Sequence, residues 1–338
     1  SSMSNTAMMM GLSSGSGGVD VADVFSTTLY TGTSTADTKI TTGVDLQTNG
    51  GLLWTKRRNG TEDHYLWDSI NAFDGGTSTT YSSKRLKSNV TDALGTEANA
   101  LMSFEKDGFV ASTNGAINGG GTRVAWSFKK QTSFFDVISW TGNGASGYQY
   151  HDHNLGVTPG FVLIKKTTGA ADWWESHTEM SGAFQLNETA ITYTNQTVFW
   201  DHSDTQIGIN ATQIAQNSNG VDYVAYVFAH NEDLIQCGSY TGNASPTNGP
   251  QIELGWKPQW IFIKNITQAT DSIIVDVKRG IPDTGLDVKY LRPNASTLEQ
   301  NTTLLKLTDT GFQLTSAGGI FVNKNANDYI YMAIKAED

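Results

Sequence analysis

Hydrophobic residues in this chain fall in short runs separated by clusters of Asn, Gly, Ser and Thr, and no long stretch repeats with helical spacing. The runs are rich in Val, Ile, Thr, Tyr, Phe and Trp, which suit a pleated, half-buried surface. The clusters between them are turn chemistry. The pattern predicts a nearly all-β chain of short strands packed as two-layer sandwiches. Ala93 to Met102 is the one stretch read as a short helix, against the presence of Gly95.

The strand pattern recurs three times. Copies open at Tyr30-Thr31-Gly32, Trp140-Thr141-Gly142-Asn143 and Tyr240-Thr241-Gly242-Asn243. Each continues into a hydrophobic run ending in lysine: Leu52 to Lys56, Phe161 to Lys165 and Trp260 to Lys264. Each closes on an aromatic run: Val124 to Phe128, Tyr223 to Phe228 and Tyr329 to Ile334. A period of about a hundred residues is long for a solenoid and suits small domains, each burying its own core. The expected organisation is an arm at 1–22, a divergent first β-domain at 23–131, a second at 132–232 and a third at 233–338. Gly and Asn after each aromatic strand read as turn residues tolerant of positive φ. Asn118-Gly119-Gly120-Gly121 reads as a hairpin loop.

Residues 1 to 20 differ from the rest. Gly11 to Gly18 has the composition of a flexible linker. Met8, Met9, Met10 and Leu12 before and within it are adaptable apolar residues suited to docking on a larger assembly. Charged residues make up only 16% of the chain and the net charge is −11. That balance opposes nucleic-acid binding, which needs clustered Lys and Arg. The one basic run, Lys56-Arg57-Arg58, reads as a solvated turn. A single cysteine, Cys237, reads as a buried thiol and excludes an internal disulfide. No apolar run is long enough to span a membrane as a helix, and no signal peptide is visible. Synthesis in a host cytoplasm without a signal, with release on a particle, is the expectation.

Candidate chemistry is sparse. His151 and His153 would share one face of a strand, with His177 a third, and are the residues that would hold zinc or nickel if any did. The expectation is no metal and no cofactor. Asp172, Glu175 and Glu179 beside Trp173 and Trp174 have the composition of a glycosidase site, but alternation sends the two tryptophans to opposite faces. No catalytic residue is assigned. Trp174, Trp200 and Trp256 are the candidate contacts for a glycan or partner.

The runs Trp140 to Gly144, Asn154 to Lys165 and Asp172-Trp173 resemble a repeat of structural proteins in tailed bacteriophages, notably of marine hosts. So do Leu254 to Lys264, Lys278-Arg279-Gly280 and Tyr329 to Ile334. The resemblance covers about Phe135 to Lys335. It implies a non-enzymatic virion protein. The leading expectation is a tail-fibre or tail-tip adhesin anchored to other virion proteins by its arm, homotrimeric, meeting a host glycan or protein. The alternatives are a capsid decoration protein or head fibre, then a carbohydrate-binding module, then a depolymerase.

Overall fold

The computed structural model describes residues 18–73, 82–190, 199–212 and 215–337. Met8, Met9, Met10 and Leu12 lie outside them. In the first third, β1 (Phe25–Gly32) pairs with the closing strand β9 (Gly121–Lys129), followed outward by β3 (Gly51–Arg57), β4 (Tyr65–Asp68), β5 (Ser82–Lys87) and β6 (Gly95–Ala98). A small sheet joins β2 (Thr38–Thr41), β8 (Gly108–Ala111) and β7 (Leu101–Glu105). The second third orders β10 (Phe135–Thr141), β16 (Asp222–Ala229), β12 (Pro159–Lys166), β13 (Trp174–His177) and β14 (Phe184–Gln185). Its small sheet is β11 (Tyr148–Asp152) with β15 (Gln206–Asn210). The last third orders β17 (Ile235–Thr241), β25 (Asp328–Lys335), β19 (Pro258–Asn265), β20 (Ile273–Asp276), β21 (Val288–Leu291) and β22 (Gln300–Thr302). Its small sheet is β18 (Gln251–Glu253), β24 (Gly311–Leu314) and β23 (Leu305–Thr308).

The fold is all-β with sandwich-like units, and one topology recurs: opening strand, closing strand, third strand, then outward. Register defines equivalent positions. Leu52, Phe161 and Trp260 stand opposite Phe128, Phe228 and Ile334. Two residues on, Trp54, Leu163 and Phe262 face Trp126, Tyr226 and Met332. Two further, Lys56, Lys165 and Lys264 face Val124, Val224 and Ile330.

The central strands of each large sheet are buried on both faces, which is why they read as nearly unbroken apolar runs. One face meets the unit's own small sheet: Leu53 and Trp67 with Ile40 and Phe109, Ile261 and Val275 with Ile252 and Phe312. The other faces of all three large sheets share one central cluster that holds Trp54, Trp126, Phe128, Phe161, Phe228, Trp260, Phe262 and Met332. Ring contacts cross every boundary. Phe128 meets Phe228 at 5.4 Å, Trp126 meets Trp260 at 6.4 Å and Phe161 meets Phe262 at 5.2 Å. The expectation of three separate cores is therefore corrected: the first and third units each keep a core of their own, but one cluster is shared by all three.

Three local expectations change as well. Ala93 to Met102 is β6 followed by the start of β7, turned at Asn99 with φ 53°. A left-handed turn at Asn breaks the helix reading. The glycine-dense loop contains a helical turn, α2 (Gly115–Asn118), capped by Asn114. The arm ends earlier than residue 22. Asp20 caps the short helix α1 (Val21–Val24), accepting from the Ala22 N–H at 3.0 Å, and Val21 and Val24 enter the central core. Gly18 to Ala22 and Lys335 to Glu337 line the same cleft of about 1080 Å³.

Candidate functional site

The opening motif of each unit is a pinned turn. The Tyr30 hydroxyl, Trp140 Nε1 and Tyr240 hydroxyl donate to the carbonyls of Ile117, Gln216 and Val322 at 2.7, 3.2 and 2.8 Å. The next residue in each case is a buried asparagine. The side-chain oxygens of Asn118, Asn217 and Asn323 accept from the N–H groups of Thr33, Asn143 and Asn243 at 3.0, 3.1 and 2.9 Å. Their amides donate to the carbonyls of Ser112, Ala145 and Ser316. The glycines of the motif are needed for closeness rather than for positive φ. A Cβ on Gly32, Gly142 or Gly242 would stand 1.9, 2.2 or 2.3 Å from the carbonyl oxygen of Gly119, Ser218 or Lys324. The asparagines escaped the sequence reading, although each precedes the register-equivalent closing-strand residue (Val124, Val224, Ile330) by six or seven positions.

The seams between units repeat in a ring. Asp68, His177 and Asp276 occupy one register position, opposite Leu52, Phe161 and Trp260. Tyr226 of the second unit donates to Asp68 of the first at 2.8 Å. Trp126 of the first donates to Asp276 of the third at 3.1 Å. His177 Nε2 of the second donates to the Tyr331 carbonyl of the third at 2.9 Å. Head-to-tail contacts whose rotation closes make a ring; here the ring closes within one chain. Loops reinforce it. Ala171 N–H reaches the Thr91 carbonyl at 2.9 Å, Glu299 N–H the Arg58 carbonyl at 2.8 Å and Thr270 N–H the Thr189 carbonyl at 3.1 Å. Lys56-Arg57-Arg58 is thus no solvated turn. Lys56 is fully buried, and Arg58 forms two 2.9 Å bonds to the Glu299 carboxylate across the first–third seam.

Residues 20–338 match the family described as Domain of unknown function (DUF7483). The chain belongs to the DUF7483 family. The match begins at Asp20, the cap of the first ordered turn, and spans all three units, so the DUF7483 domain is the whole ring and not one repeat. No curated protein matches the chain.

Within the DUF7483 ring, the candidate residues do not converge. His153 has both ring nitrogens engaged: Nδ1 accepts from the Leu155 N–H at 3.2 Å and Nε2 donates to the Ser203 carbonyl at 3.0 Å. No lone pair is left for a metal. His151 stacks on Trp140 at 4.1 Å, and burial pushes it down to about 4. His177 is used in its seam, with Nδ1 accepting from the Glu179 N–H. Among the described residues no three His, Cys, Asp or Glu are grouped to hold a metal ion. Trp200 and Trp256 are buried and donate to the carbonyls of Gly182 and Glu232, so neither offers an open stacking face. Trp173 is buried and Trp174 half-buried, as alternation required. Cys237 is a buried free thiol, and burial pushes it up.

The carboxylates beside them are structural too. Asp172 accepts from Gln185 and Asn187 at 2.9 and 2.8 Å. Glu179 accepts from Ser239 of the third unit at 3.1 Å. Glu175 is fully enclosed, and burial, moderated by Lys264, pushes it up to about 7. An enclosed carboxyl cannot meet a polysaccharide. Buried lysines end the third strands. Lys56 donates to the Arg57 and Gly60 carbonyls, and Lys165 to the Thr91 and Lys166 carbonyls, both lowered to about 8 by burial.

Proposed function

We propose that the protein is a non-enzymatic virion structural protein of a tailed bacteriophage, a tail-fibre or tail-tip adhesin attached through the segment before Asp20. The observation that carries this reading is the shared central core. Three units locked on one core hold their outer loops in fixed mutual geometry, so weak contacts to a host glycan or protein act together. Rigid spacing raises avidity by factors on the order of a hundred or more when the receptor sites match it. The use of the buried carboxylates and histidines in seams and turns supports a role without catalysis. Edge strands such as β1 favour association of copies, with a homotrimer the preferred state.

A capsid decoration protein or head fibre is the second reading, favoured by the three-fold repetition within one chain, which fits a three-fold platform. Immunogold labelling of purified particles decides between them: label on the tail supports the adhesin, label on the shell supports decoration, and unlabelled particles remove both. Deleting residues 1–17 should abolish incorporation while leaving the melting temperature unchanged.

A further inference from the structure

The three seams solve one problem in two ways. Each third strand carries a buried lysine near its end. Lys56 and Lys165 are received by main-chain carbonyls. Lys264 is buried with no hydrogen-bond partner. The neighbouring unit differs at the matching place. Glu175 stands opposite Leu163 in register, where Leu66 and Ile274 stand opposite Trp54 and Phe262. An apolar position has become a carboxyl only where the lysine lacks its carbonyls.

Glu175 and Lys264 are the coupled pair of this seam. Phe184 is the cross-strand partner of Glu175, and Lys264 Nζ lies 5.3 Å from the centre of the Phe184 ring. Directly opposed residues have Cβ atoms about 5 Å apart, so Phe184 is a neighbour shared by the carboxyl and the ammonium. Each group acts electrostatically on the other. Yet Glu175 Oε1, Glu175 Oε2 and Lys264 Nζ are all buried without a hydrogen bond. Asp271 also acts on Lys264, but its carboxylate is held by Asn294 at 2.6 Å and Arg292 at 3.2 Å.

We propose that Glu175 and Lys264 flank an internal water site, a hydrated ion pair that joins the second unit to the third. Buried polar atoms are satisfied by protein or by ordered water, and a water needs two to four polar partners. Three atoms of this pair supply them. Water fits better than an ion, because one positive and one negative group leave no charge for an ion to balance.

The test is a double-mutant cycle in the full chain: Glu175→Leu, the residue the first unit carries there, Lys264→Met, and both together. Each single change strands a buried charge and should lower the melting temperature by several degrees, whereas the double variant should recover most of that loss. A high-resolution crystal structure of the unaltered protein should show a water within about 3 Å of both groups. Strictly additive losses overturn the proposal. So does a direct Glu175–Lys264 contact with no water between, or an intact mass short by one water, which would mean the pair has condensed to an amide.

Discussion

The first–third seam and the second–third seam join equivalent surfaces by different means. The second and third units are tied by the short connection from Ala229 to Ile235, and their seam uses His177 on a carbonyl, Thr270 on Thr189 and Ser239 on Glu179. The first and third units have no such tether, and their seam is built on charged groups bonded directly to one another. Arg58 grips Glu299 through two bonds, Arg279 reaches the same carboxylate at 3.6 Å, and Asp276 takes Arg279 at 2.5 Å as well as Trp126. Ser88 adds a bond to the Pro293 carbonyl. A tether supplies high effective concentration. Where it is missing, directional charged bonds hold the surfaces together.

The largest test of that picture removes the centre they share. Trp260→Ala should cost about 3–5 kcal/mol, and calorimetry should show one transition moving as a whole; a third of the protein melting alone would restore the picture of independent domains. Glu299→Ala should cost about 3 kcal/mol by stranding Arg58, read by chemical denaturation. The matching change in the tethered seam, Ser239→Ala, should cost about 1 kcal/mol or less. Equal losses would erase the distinction between the seams.

Acid should discriminate further. Burial pushes His177 and His202 down to about 4 from 6.5. A lowered histidine contributes stability above pH 6.5 that is lost as pH falls through about 4. Glu175, raised to about 7 from 4.5, acts in the opposite sense, losing its contribution as pH rises through 7. With His151, also pushed down to about 4, the lowered histidines outnumber the raised carboxyls Glu175 and Asp68, so the melting temperature should drop by several degrees between pH 6.5 and 4. His177→Gln, which keeps a donor for Tyr331, should flatten that drop. An effect as small as that of Ser239→Ala belongs to Trp256→Phe, about 1 kcal/mol for its bond to Glu232.

The repeat and the strand content were legible because both rest on local patterns: lysine-ended runs, aromatic closing runs, turn clusters. The shared core was not. Leu52 and Leu53 look alike in sequence, yet one faces the centre and the other its own small sheet, and only the partner sheets decide which is which. The same blindness hid the second role of Lys56-Arg57-Arg58, whose acceptor Glu299 lies 241 residues away from Arg58. His151 lies in β11 and His153 just past its end; the His153 nitrogens are taken by Ser203 and Leu155 and the His151 ring face by Trp140. The pinning asparagines were readable in principle, as a fourth landmark at fixed distance before each closing run.

Gly18 to Ala22 and Lys335 to Glu337 border one cleft. A short peptide bridging them would turn the polypeptide into a loop without disturbing any sheet. New ends cut at Thr132, between β9 and β10, would then give a circular permutant with the second unit leading. The order in which the three units are synthesised is a matter of gene layout, and the folded object has no inherent start.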